Sequence, residues 1–268
     1  MPDPVTTVGL GAIAAYLGKD GVAKILGPTA DYLGGELQAF TQKRIESVGK
    51  IFSSAEKKLG DKIEVAGQVP PKVLKTIINE GSYTNDDLAI EYFGGVLASS
   101  RTEIGRDDRG ARMVRILDNM SSYQIRAHYL VYSTISNLFK DKGEKLGTSQ
   151  DRIKLQLFLP MAGFYQSMEF NLQEQRDPQL MSHIWHGLSN DGLIENHWMF
   201  GNKSDLKSMF KDCPGAGIVC QPSSVGAELY LWALGKADMP IDYLLSSRID
   251  TTIDGAPNAV QGSLPTKT

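Results

Sequence analysis

Apolar residues recur along this chain mostly at three- and four-residue steps, a period that predicts helices. The clearest run carries Leu37, Phe40, Ile45, Val48, Ile51, Phe52, Ala55 and Leu59, with Lys43, Arg44, Glu46, Lys50, Glu56 and Lys57 between them. This spacing gathers the apolar side chains into one stripe of a long amphipathic helix, which Gly60 should end. Pro70-Pro71 opens a second helix where a missing N–H costs nothing, and Val73, Leu74, Ile77 and Ile78 carry it to Gly81. Asn85 is the predicted N-cap of a third, with Leu88, Tyr92, Phe93, Val96 and Leu97 inside and Asp86 and Asp87 in the first turn, where the helix dipole favours anions. Met113, Val114 and Leu117 mark a fourth helix. A fifth starts at Ser121 or Ser122 and runs through Ile125, Tyr129, Tyr132, Ile135 and Phe139. The connections are short, which favours antiparallel neighbours in a bundle.

The pattern changes after a charged loop at residues 140–147. Thr148 or Ser149 is expected to cap a helix that Pro160 kinks or ends. Asp177-Pro178 begins a helix with Leu180, Ile184 and Leu188 on one face, and a turn at residues 189–192 then releases a strand from Leu193 through Phe200. A second strand is predicted at residues 217–221, and Ser223 or Ser224 caps a helix containing Val225, Leu229, Trp232 and Ala233. Helix, Gly turn, strand, long wing, strand, helix is the order of a winged-helix-like module. The expected fold class is therefore mainly α: a multi-helix bundle with a small C-terminal winged-helix-like module containing a β-hairpin. The expected divisions are Gly-rich N-terminal helices with the long amphipathic helix (1–66), a central bundle (67–176), the winged-helix-like module (177–247) and a Ser/Thr/Gly/Pro-rich flexible tail (248–268).

Composition narrows the class of function. With 268 residues, 41% hydrophobic and 22% charged at a net charge of -3, the chain has enough apolar material for a core and lacks the charge of a generic polyanion binder. Two cysteines cannot make a disulfide scaffold. Met1-Pro2-Asp3-Pro4 has no cationic region of the kind that opens a secretory signal, and no uncharged run reaches about 18 apolar residues. A cytoplasmic protein is expected. The Gly- and Ala-rich opening offers Leu10, Ile13 and Leu17 as one apolar face, which fits either a buried helical pair or peripheral contact with the inner membrane.

Candidate chemistry is sparse. Gly9-x-Gly11-x-x-Ala14 imitates a dinucleotide fingerprint but has no preceding strand, and no cofactor is expected. His183, His186, His197, Cys213 and Cys220 are zinc-type ligand residues, but their spacing matches no recognised site, and core or surface roles are expected for them. Six of the ten arginines are Arg101, Arg106, Arg109, Arg112, Arg115 and Arg126. Arg109, Arg112 and Arg115 fall at three-residue steps and would form a phosphate-contacting stripe if their helix begins early, although Glu103, Asp107, Asp108 and Asp118 are interleaved. The helix from Pro178 to Leu188 has no Lys or Arg, which suits a protein-contact module better than a DNA reader. There is no Gly-x-Ser-x-Gly, phosphate-binding loop or His-Glu-x-x-His, so no enzymatic activity is expected.

Residues 65–100, with Val69-Pro70-Pro71 and the following acid-capped helix, together with residues 115–122, Gly192-Leu193-Ile194 and residues 224–233, resemble the Abi-alpha family. The similarity extends over roughly residues 20–245; Phe93-Gly94-Gly95-Val96 stands where that family more often has a Trp-Ala element, and an inserted loop follows Phe200. The resemblance implies a bacterial protein of abortive infection, in which an infected cell stops growing or dies before phage mature. It offers no catalytic residues to carry over, and action through assembly with a protein partner or as a homo-oligomer, or through membrane contact, is expected. The alternative is a nucleic-acid-binding sensor or regulator that uses the arginine-rich region and the winged-helix-like module.

Overall fold

The computed structural model describes residues 42–207, 213–258, 260 and 262. The chain's described residues divide into two compact units, one formed by those up to 119 with 231–238, the other by those from 120 to 230 with those from 239 on. Its described part is mainly helical, with one small antiparallel sheet. No helix among the described residues is long and apolar enough to cross a membrane.

In the first unit, α1 (Gln42–Leu59) ends where expected, at Gly60, whose φ of +51° suits a residue without a side chain. A 3-10 turn (Gly60–Glu64) leads to α2 (Pro71–Gly81), with Pro71 at its first position. Next come α3 (Asp87–Ser99) and α4 (Gly110–Asn119). The cap of α3 is Asp86, whose carboxylate accepts from the Ala89 amide at 2.9 Å, so the helix begins one residue later than Asn85 predicted. Helix α3 is buried at every position from Leu88 to Ala98 except Glu91, as a helix surrounded by neighbours must be. Two glycines permit that. A Cβ at Gly94 would overlap Ser54 of α1, and one at Gly95 would overlap the Ala233 carbonyl oxygen. The Gly94-Gly95 pair thus brings two backbones to contact on two sides of one helix.

The second unit is organised around α5 (Ser122–Leu138). Ser121 and Gln124 close a capping box at its start: the Ser121 hydroxyl accepts from the Gln124 amide, and the Gln124 side chain accepts from the Ser121 amide at 2.8 Å. The segment predicted to continue as a helix to Pro160 does otherwise. A single turn, α6 (Ser149–Arg152), is followed by strand β1 (Leu157–Pro160) and then α7 (Met161–Ser167). Helix α8 (Pro178–Asn190) is capped by Asp177, which accepts from the Gln179 and Leu180 amides at 2.8 and 3.2 Å. Strand β2 (Met199–Gly201) is shorter than the run expected from Leu193; Ile194 forms only an isolated bridge with Pro222. A short helix, α9 (Lys203–Leu206), lies between β2 and β3 (Gly217–Cys220), and α10 (Ser224–Ala233) follows.

The sheet order is β1-β3-β2, antiparallel throughout. Leu157 pairs with Cys220 and Pro160 with Gly217 on one side of β3, and Met199 pairs with Val219 on the other. Pro160 is tolerated because β1 is an edge strand and Pro160 its last residue. β2 and β3 are thus not an isolated hairpin: they share a three-stranded sheet with β1, which lies before residue 177. In the stretch read from composition as a tail, Ile249, Ile253 and Val260 are buried, and the Thr251 carbonyl accepts from the Tyr230 hydroxyl at 3.0 Å.

Candidate functional site

Helix α8 separates two faces cleanly. Met181, Ile184, Trp185 and Leu188 are buried, whereas Gln179, His183, His186 and Asn190 are exposed along the opposite stripe. The loop after the helix adds exposed Asn196 and His197. Met199 of β2 packs on the cluster of Phe158, Leu206, Cys213 and Val219, while its two neighbours, Trp198 just before the strand and Phe200, meet each other. Trp198 and Phe200 stack with centroids 6.3 Å apart, and His186 meets the Trp198 ring edge-on at 4.8 Å. His183 is anchored differently, with Nε2 3.1 Å from the Ser121 hydroxyl. The result is a half-exposed aromatic ladder, His186-Trp198-Phe200, bordered by neutral polar groups.

Cations are absent from α8, and the connection after β2 supplies exposed Lys203 and Lys207 with Asp205 between them. Attraction for a phosphate backbone scales with neutralising cations, so the α8 face offers shape and apolar contact rather than charge. Partly buried aromatic rings with polar surroundings are the composition of protein-contact hot spots.

The zinc-type residues are not brought together. Among the described residues no group of three or more His, Cys, Asp or Glu side chains is placed to hold a metal ion. Cys213 lies in the apolar cluster and donates to the Gly215 carbonyl at 3.0 Å. Cys220 is wholly buried in β3, where desolvation pushes its thiol up to about 12.

The arginine stripe is shorter than its spacing implied. Helix α4 starts at Gly110, so Arg109 precedes it, and its guanidinium binds the Asp107 carboxylate through Nε at 2.9 Å and Nη2 at 2.6 Å. That hydrogen-bonded pairing holds the Asp107 carboxyl below its usual range. The Arg109 guanidinium also lies 6.0 Å from the Trp232 ring centroid. Arg112 and Arg115 remain as an exposed pair one turn apart on α4, without an ion-pair partner among the described residues. Leu10, Ile13 and Leu17 lie outside the described residues.

Sequence reasoning missed the aromatic ladder, because the contact between His186 and Trp198 spans the turn between α8 and β2. The available signal was Trp198 and Phe200 at a spacing of two, beside a helix with an exposed His at each turn. Compared with known proteins, the chain matches no family model, no curated protein and no solved structure.

Proposed function

We propose that this chain is a non-catalytic bacterial defence protein of the abortive-infection type that acts by protein contact, with the α8 face and the Trp198 ladder as its contact surface. The observation that carries the contact reading is the outward stripe Gln179, His183, His186 and Asn190 beside Trp198 and Phe200, with no Lys or Arg on the helix. The defence assignment rests on the likeness of residues 65–100, 115–122, 192–194 and 224–233 to the Abi-alpha family. The second unit is read as winged-helix-like. Supporting this are the order β1, α7, α8, β2, α9, β3, in which α8 precedes the β2–β3 pair, and the sheet order β1-β3-β2. Leu10, Ile13 and Leu17 supply the proposed peripheral contact with the inner membrane.

Phage challenge of cells expressing the chain tests this reading. Protection by the native chain, lost at equal abundance with Trp198→Ala and His186→Asp, is the expected result. Absence of protection by the native chain, or full protection by both variants, refutes it. Leakage of dye from anionic liposomes, abolished by Leu17→Asp, is the expected sign of the membrane contact.

A second reading has its own observation: exposed, unpaired Arg112 and Arg115 on one face of α4. It makes the protein a nucleic-acid-binding sensor. Salt-dependent binding to DNA or RNA that weakens uniformly in Arg112→Ala/Arg115→Ala supports it, and a flat titration at low salt dismisses it.

A further inference from the structure

The first unit contains a cleft of about 330 Å³ whose lining mixes apolar side chains with polar ones, the carboxylates of Glu103 and Asp238 included, and which carries one loosely held cation, Lys62. Leu59, Val65, Ala66 and Ala98 supply the apolar lining. Val65, 65% exposed, leaves an apolar surface open on the lining. Arg101 builds the wall. Its guanidinium donates to the carbonyls of Lys62, Ile63 and Val65 at 3.1, 3.3 and 2.6 Å, which fixes the turn that carries Lys62. Lys58 is turned inward and bound to Ser54 and Glu91, with only 12% of its side chain exposed. Arg101 and Lys58 are therefore committed to the framework.

Lys62 differs from both. Its Nζ reaches a single partner among the described residues, the Asp238 carboxylate at 3.1 Å, and the two side chains are 59% and 55% exposed. Such a pair contributes less than about a factor of five to an equilibrium, so an incoming anion can replace Asp238 at little cost. Asp238 also lines the cleft, so the chain's own carboxylate occupies the position an anionic head group would take.

We infer that this cleft binds a small ligand with an anionic head, carboxylate or phosphomonoester, on a compact apolar body. The head displaces Asp238 from Lys62 while the body covers Val65 and packs on Leu59, Ala66 and Ala98. Asp238 acts as an internal competitor. The site shares no residue with the α8 face and stands independently of the contact reading.

Titration of the full chain with benzoate and phenyl phosphate, followed by calorimetry or ligand-observed NMR, tests the inference. Preference between these two probes distinguishes the carboxylate from the phosphate source. Binding in the roughly millimolar range is expected for ligands of this size. Phenol and inorganic phosphate should each bind about tenfold more weakly, because each keeps half of the recognition. Lys62→Ala should lose about threefold to fivefold. Asp238→Asn should gain about threefold, whereas Asp118→Asn, with the same charge change on exposed α4, should leave affinity unchanged. Lys62 and Asp238 are surface residues, and circular dichroism of both variants verifies that they fold. The inference fails if neither aromatic anion binds saturably, if inorganic phosphate binds as well as phenyl phosphate, if Lys62→Ala binds like the native chain, or if Asp238→Asn and Asp118→Asn behave alike.

Discussion

His128 packs against Tyr132 with ring centroids 4.6 Å apart, and both are wholly buried one turn apart on α5. Each satisfies a backbone group contributed from elsewhere in the second unit. His128 Nε2 lies 3.1 Å from the Gly226 carbonyl, and the Tyr132 hydroxyl donates to the Leu193 carbonyl at 2.7 Å while accepting from the Ser223 amide at 3.0 Å. Gly226 makes room for the Tyr132 hydrogen bond, since a Cβ there would overlap the Leu193 carbonyl and the Tyr132 hydroxyl. These contacts fasten the start of α10 to α5.

Burial depresses His128 from 6.5 to about 3, against the smaller opposing pull of the Gly226 carbonyl. The imidazole stays neutral in the fold but takes a proton when the chain unfolds. Its contribution is thus fully present above pH 6.5 and is lost progressively as pH falls toward 3, by up to about 1.4 kcal/mol per pH unit. Chemical unfolding from pH 7 to pH 4 should show native stability falling more steeply than that of His128→Gln. Parallel pH profiles would refute the assignment.

Tyr132→Phe keeps the ring and removes only the hydroxyl, leaving the Ser223 amide and the Leu193 carbonyl without that partner. A loss of about 1–3 kcal/mol in urea unfolding is expected. Deletion of an exposed hydroxyl, as in Tyr83→Phe, should change stability by less than about 0.5 kcal/mol.

Helix propensity alone makes Gly→Ala favourable by about 1 kcal/mol in a helix interior. Gly95→Ala should instead destabilise the first unit by about 2 kcal/mol, because its Cβ would occupy the space of the Ala233 carbonyl oxygen. Gly215→Ala, which meets nothing within 4 Å, serves as the neutral comparison in thermal melts.

Cys213 and Cys220 are both buried, and desolvation keeps the Cys220 thiol protonated at neutral pH. A thiol reagent at pH 8 should modify neither in the native protein over minutes and both once the chain is denatured. Rapid native labelling at Cys220 would show that the sheet opens locally.

The ends of elements were legible where the signal is a neighbour in sequence. Asp177-Pro178, the start at Ser121 or Ser122 and Gly60 each act within four residues, and all three lie where their chemistry places them, with Ser121 as the cap. The shift from Asn85 to Asp86 reflects two adjacent carbonyl-bearing side chains competing for one cap. Strand β1 was hidden because residues 157–160 become a strand only by pairing with 217–220, and Pro160 reads locally as a helix stop. The candidate surface was half visible: the outward stripe of α8 follows from its period, but its union with Trp198 does not.

What the chain encodes by itself is local, namely the helix period, the caps and the lack of cations on α8. Tertiary structure alone decided that α3 is buried all round, that Arg109 is taken by Asp107 while Arg112 and Arg115 stay open, and that His186 leans on Trp198. The reason is physical. Periodicity records which side of an element avoids water, whereas the identity of its neighbour depends on long-range packing, which leaves no mark at a fixed spacing.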